Sequence, residues 1–214
     1  MLKFKMFKYI FVPVFTIIYL PPSLASLESL APLESGDFIF VKDKLHVSHV
    51  GIVEGNQVIS ADPKKKAVIK CHLSEFHRLK PEIFVKRLRQ PYSVLIPLAL
   101  KFANDQLGAK YNHSYVLSEG SKPLGHRSFC CSGLIYHAFL NANKGQEFFK
   151  SHPMDFSMPD PEFWVKYHEQ KGLKMPVGES GIRPGNIFGD DRLEIVPPPY
   201  NLDGENNYSS DLWI

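Results

Sequence analysis

The stretch Ser128–Phe139, SFCCSGLIYHAF, places a Cys-Ser-Gly step at the start of an apolar-faced helix in which Cys131, Leu134, Ile135 and Ala138 share one side. The N–H groups of a helix's first turn have no intrahelical partner and the macrodipole is positive there, so a thiolate is favoured over a thiol. Two readings compete. Cys130 and Cys131 are small apolar residues packing a core helix, or one of them is a nucleophile. The stretch names no base, so the rest of the chain decides.

Upstream, the period is that of strands. Glu34-Ser35-Gly36-Asp37 reads as a turn into a strand over Phe38–Val41. Two β-branched runs then flank Gly55-Asn56, a favoured two-residue hairpin loop. If that loop sets the register, Val53 faces Val58, Gly51 faces Ser60 and His49 faces Asp62, which puts an imidazole and a carboxylate on one face with Ser60 diagonal to the histidine. Ala67–Cys71 and Ile83–Leu88 read as further strands, with a helical turn over Leu73–His77 between them, and Lys64-Lys65-Lys66 as a solvated turn.

Downstream, the period lengthens. Leu95, Leu98, Ala99, Phe102, Ala103 and Leu107 recur at helical spacing, with Gly108 suited to end the helix. Asp160-Pro161-Glu162 combines an N-cap, a first-position proline and a first-turn acid, so a helix is expected over Phe163–Lys171. Pro184–Phe188 reads as a turn into a strand. Strands followed by helices indicate an α+β domain with a mostly antiparallel sheet.

Of 214 residues, 44% are hydrophobic and 22% charged, a globular composition. The first 25 residues differ. Lys3, Lys5 and Lys8 precede an apolar run, Tyr9–Leu20, and then Ser23-Leu24-Ala25. That order reads as a secretory signal cleaved after Ala25; the run is short for a bilayer and Pro13 interrupts it, so no stable transmembrane anchor is expected after cleavage. Its removal takes three of the 25 basic residues and leaves 22 against 22 acidic ones. A nucleic-acid partner gains no electrostatic support from that balance. Residues 26–196 then form one domain, and 197–214 an extended proline- and polar-rich tail. Export implies an oxidising compartment, periplasmic or extracellular, yet Cys71, Cys130 and Cys131 are odd in number, so at least one thiol stays unpaired.

A cysteine nucleophile needs a base and a group that orients the base. His49, in a strand beside Gly51, is the best-placed histidine, with Asp62 or Ser60 to hold its tautomer; His46, of opposite parity, is expected to face away. The other histidines show no paired ligand spacing, and neither Cys-x-x-Cys nor His-Glu-x-x-His occurs, so neither a metal nor a cofactor is expected. A glycine-rich phosphate loop and a Gly-x-Ser-x-Gly elbow are absent too.

The ordered set SGDFIF, SHVGIV, VISA, QLGAKYN, FCCSGLIY, PDPEFW and RPGNIF resembles the permuted papain-like cysteine hydrolases, relatives of the NlpC-type cell-wall amidases, and among them the YiiX/YaeF-like proteins. The resemblance implies a circularly permuted papain-like fold, with the sheet packed against the nucleophile-bearing helix. It implies that His49 is the catalytic histidine, Cys131 rather than Cys130 the nucleophile, and Tyr111 a substrate-binding residue. The third polar position, commonly Glu or His in such proteins, is Ser60 here. A serine bonds an imidazole but does not stabilise imidazolium as a carboxylate does, and the hairpin register offers Asp62 in its place.

The function so implied is an exported thiol hydrolase cleaving an amide bond in peptidoglycan stem peptides or related peptides through an acyl-thioenzyme. Two alternatives stand beside it. One is acyl transfer or lipid ester and thioester hydrolysis, with acyl groups as partners; the other is a non-catalytic envelope-binding module.

Overall fold

The apolar runs of the first half of the chain form strands, and the helical periods of the second half form helices. The computed structural model describes residues 33–42, 47–73, 75, 82–123, 125–157 and 160–198. The expected signal segment, His46, most of the turn at 73–77 and the tail from 199 lie outside them.

The strands are β1 (Phe38–Lys42), β2 (Val47–Glu54), β3 (Gln57–Asp62), β4 (Ala67–His72) and β5 (Glu82–Leu88). A short 3-10 turn leads into α1 (Ile96–Asp105), followed by β6 (Lys110–Tyr111), β7 (Ser128–Phe129) and α2 (Cys131–Ala142). Then come β8 (His152–Pro153), α3 (Pro161–Gln170), β9 (Ser180–Gly181), α4 (Pro184–Phe188) and β10 (Leu193–Val196). One sheet runs β10-β5-β1-β2-β3-β4-β6-β7, antiparallel at every pairing except β6 with β7. The fold is thus α+β, with a large, mostly antiparallel sheet and few helices.

Side chains of β1 alternate between two apolar clusters. Phe38 and Phe40 join Val50, Ile52, Ile59 and Ala61 against Leu134, Ile135 and Phe139 of α2. Ile39 and Val41 join Val53, Val58, Val85 and Val196 on the other face. A strand buried on both faces reads as a continuous apolar run, which is why Phe38–Val41 shows no alternation in sequence. Burying Leu134, Ile135 and Phe139 completely contributes about 1.5–3 kcal/mol each, and this anchors α2 across the sheet.

Next to the loop the hairpin register is the one expected, with Val53 opposite Val58 and Ile52 opposite Ile59. Gly55 supplies the positive φ, 61°, that the loop requires. On the other side of β2 the pairing with β1 shifts register between Val41 and Lys42, next to the pair Val41–His49. Such an irregularity re-aims the chain locally.

The turn ahead of β1 is held from inside. Asp37, 1% exposed, accepts from Arg87 Nε at 2.7 Å and Nη2 at 2.8 Å and from the Glu34 N–H at 2.8 Å. That ties β1 to β5 through a charge-assisted fork.

One element differs from its expectation. Pro184–Phe188 is a helix, not a turn into a strand. Arg183 is extended, Pro184 occupies the first helical position, and Asn186 Oδ1 accepts the Arg183 N–H at 2.9 Å, so the cap chemistry outweighs the β-prone Ile187-Phe188 pair. The α3 cap follows its signature, with Asp160 Oδ1 accepting the Phe163 N–H at 3.0 Å.

Candidate active site

Cys131 is the first residue of α2 and Cys130 its cap. Cys130 Sγ accepts the Gly133 N–H at 3.3 Å, as a capping hydroxyl would. A Cβ on Gly133 would lie 3.1 Å from that sulfur, so the Cys-Ser-Gly step leaves the cap its room. The two cysteines therefore play different parts. The Cys130 sulfur closes the helix end, and the Cys131 sulfur stands at its mouth.

Three backbone N–H groups, of Val50, Ser132 and Cys131, face the Cys131 sulfur and favour its thiolate. Burial opposes them and wins. Desolvation of the enclosed sulfur, followed by the neighbouring Cys130, pushes the Cys131 thiol up to about 12. The helix terminus acts as expected, but at rest the group is a neutral thiol.

His49 is buried, and its Nε2 lies 2.8 Å from Ser60 Oγ. Ser60 Oγ also lies 3.2 Å from the Val50 carbonyl oxygen, to which its hydroxyl donates. Asp62 is engaged elsewhere: its Oδ1 accepts the N–H groups of Lys64 at 2.7 Å and Lys65 at 3.0 Å, forming the turn between β3 and β4. An aspartate two residues before free N–H groups closes an Asx turn, a local bond that competes with any longer reach. The structure thus brings together His49 and Ser60. Cys131 meets the same strand through the backbone of Val50, the residue after His49.

Tyr111, at the end of β6, is buried, and its phenol is held well above its ordinary range by desolvation, then by the charges of Tyr115, Cys131 and Cys130. It belongs to a cluster that sequence reasoning missed. Tyr115 interacts through its hydroxyl with Tyr111 and Tyr167, and Tyr167 Oη lies 2.7 Å from His113 Nδ1. Tyr115 has a φ of 64°, a left-handed conformation uncommon outside glycine and a mark of local constraint. These side chains come from β6, the following loop and α3, and no spacing in the sequence relates them. Burial, then Lys171 and Lys66, lowers His113 from its ordinary value.

Among the described residues, no group of three or more His, Cys, Asp or Glu side chains could hold a metal ion. No described helix is long and apolar enough to cross a membrane.

Comparison with known proteins adds to this geometry. A family model described as permuted papain-like amidase enzyme, YaeF/YiiX, C92 family, matches residues 33–197. The chain is also similar to the crystal structure of the metalloprotein YiiX from Escherichia coli O157:H7, with a TM-score of 0.61 and 21% identity over 78% of this chain and 98% of that one. At that identity the likeness concerns the fold. No curated protein matches the chain.

Proposed function

The chain belongs to the permuted papain-like amidase family, and from that premise we propose that it is an exported thiol hydrolase of amide bonds, with peptidoglycan stem peptides or related peptides as substrates. The convergence of the Val50, Ser132 and Cys131 N–H groups on one sulfur at a helix start carries this reading. The same donors that favour a thiolate can meet the charge that develops on a carbonyl oxygen.

Ser60 determines which nitrogen of His49 acts. With its hydroxyl donated to the Val50 carbonyl, Ser60 Oγ accepts from Nε2–H, and the lone pair falls on Nδ1. In the reaction the thiol proton passes to His49 as Sγ bonds to the substrate carbonyl carbon. Collapse of the tetrahedral intermediate breaks the C–N bond, and His49 gives the proton to the leaving amine. Water, deprotonated by His49, then releases the acid from the acyl-thioenzyme and restores the thiol. The neutral resting thiol means that proton transfer accompanies attack, in a pair that tightens when substrate binds. Asp62 belongs to the β3–β4 turn in this scheme, and Tyr111 lines the approach to the sulfur.

The test is hydrolysis of a peptide panel by the mature protein and by Cys131→Ala, with mass analysis of the acyl group on Cys131. Loss of turnover in the variant together with an adduct on Cys131 supports the reading; unchanged turnover, or an adduct on Cys130, overturns it.

A second reading has its own observation. The thiol held near 12 and the serine behind His49 both suit an envelope-binding module that keeps the fold without the chemistry. Binding of cell-wall fragments with no adduct on Cys131 would select it.

A further inference from the structure

Arg183 and His168 converge on one aromatic pair and leave polar atoms unpaired there. His168 is 2% exposed, and its Nδ1 lies 2.9 Å from the Trp164 carbonyl oxygen, which only accepts. Nδ1 therefore carries a proton, and Nε2, enclosed, has no hydrogen-bond partner. Arg183 Nη2 is likewise enclosed and unpartnered. The guanidinium lies over the rings of Phe156 at 5.6 Å and Trp164 at 6.0 Å, and the His168 ring packs on the same two at 5.2 and 6.2 Å.

Two other half-buried arginines are neutralised, Arg87 by Asp37 and Glu34 and Arg192 by Asp190, and a third, Arg127, donates its Nε–H to the Lys122 carbonyl. Among the described residues, Arg183 has no carboxylate within ion-pair distance; Asp155 feels its charge only from farther away. A guanidinium enclosed on one side by aromatic rings, without a counter-ion, is costly unless an anion completes it. Its planar fork suits a carboxylate.

The place is tied to the start of α2. Ser132 Oγ donates to the carbonyl of Ile182, the residue before Arg183, at 2.6 Å. The Tyr115 ring, whose phenol is raised by burial and, to a smaller extent, by Cys131, packs against Trp164 at 5.8 Å. Two aromatic rings, Tyr115 and Trp164, thus lie between the sulfur and the guanidinium.

We propose that Arg183, on the aromatic pair it shares with His168, forms a carboxylate-binding subsite on the side of α2 that bears Cys131, selecting acyl compounds that carry a free carboxylate. Arg183 Nη2 donates to one carboxylate oxygen, and the His168 ring packs on the same Phe156–Trp164 pair that backs the guanidinium. The inference rests on the hydrolase reading only in calling the bound molecule a substrate.

Binding is therefore tested in Cys131→Ala, where hydrolysis is absent, so failure here and failure of the hydrolase reading are distinct results. The chain has two tryptophans, Trp164 and Trp213, and Trp213→Phe makes Trp164 the sole reporter. Sodium acetate and acetamide are titrated against its fluorescence, with sodium chloride matching ionic strength. Acetate is expected to act saturably, at about tenfold lower concentration than acetamide. Arg183→Met abolishes the response and Arg183→Lys weakens it. An equal response to acetate and acetamide, or none to either, overturns the proposal. So does an acetate response that persists in a folded Arg183→Met protein. Should that variant not fold, the acetate–acetamide comparison in the parent decides alone.

Discussion

Ser60 Oγ stands 2.8 Å from His49 Nε2, whereas the Asp62 carboxylate, two residues further along the same strand, is bonded to the backbone of its own turn. The imidazole therefore has a hydroxyl behind it. A hydroxyl fixes a tautomer, but it adds no charge to stabilise imidazolium, and this shapes what substitutions will do.

Removing the hydroxyl in Ser60→Ala leaves Nε2 and the Val50 carbonyl without their shared partner. The variant is expected to lose about 1–3 kcal/mol of stability and about tenfold in kcat, read from urea melts and steady-state hydrolysis. Ser60→Asp restores a carboxylate behind the ring and is expected to raise the alkylation rate of Cys131 at neutral pH by a similar factor. An Ala variant with full activity would remove Ser60 from the machinery.

Asp62→Ala separates the two roles from the other side. The loss of two turn bonds is expected to cost about 1 kcal/mol, seen as a lower melting temperature, with no change in the reactivity of Cys131. A drop in reactivity much larger than the loss of stability would return Asp62 to the site.

A thiol pushed up to about 12 is almost entirely protonated at neutral pH. Iodoacetamide is thus expected to modify Cys131 at least about tenfold more slowly than an exposed cysteine at pH 7, with a rate still rising at pH 10. Mass mapping of the modified residue provides the check. A rate that levels off below pH 8 would mean a thiolate–imidazolium pair at rest.

The same burial links stability to alkali. Cys131 keeps its proton in the folded chain from its ordinary value of 9.0 up to about 12. Unfolding across that window releases a proton, so stability falls as pH rises, by up to about 1.4 kcal/mol per pH unit from this group. Urea melts at pH 8 and pH 10.5 should show a smaller fall in Cys131→Ala than in the parent, because the other buried acids are common to both. Equal falls would mean the sulfur is reached by solvent.

Asp37→Ala takes from Arg87 its buried carboxylate and opens the turn ahead of β1. The expected cost is about 3–5 kcal/mol, measured by denaturant unfolding. A cost near zero would mean that water replaces the carboxylate freely.

The strands, the hairpin register beside its loop, the helix bearing Cys131 and the cap of α3 are legible because local rules govern them. Gly55-Asn56 sets a loop whose twist matches its strands, and Asp160-Pro161-Glu162 caps a helix whatever packs on it. Pro184–Phe188 reads wrongly as a strand because its apolar pair suits either state and only the Asn186 cap decides. In sequence, the preference for Cys131 over Cys130 rests on position within a motif. The geometry shows the physical difference, since the Cys130 sulfur closes the helix end and the Cys131 sulfur faces Val50.

By itself, then, the sequence determined which segments pair, where α2 begins and which residues could serve as nucleophile and base, since each of these depends on neighbours within a few positions. Only the tertiary structure decided that Ser60 and not Asp62 meets His49, because a turn within three residues claims the carboxylate first. It also decided that desolvation outweighs the helix start at Cys131, and that Arg183 and His168 share one aromatic surface. Burial and the meeting of distant segments are properties of the packed chain, and no local pattern encodes them.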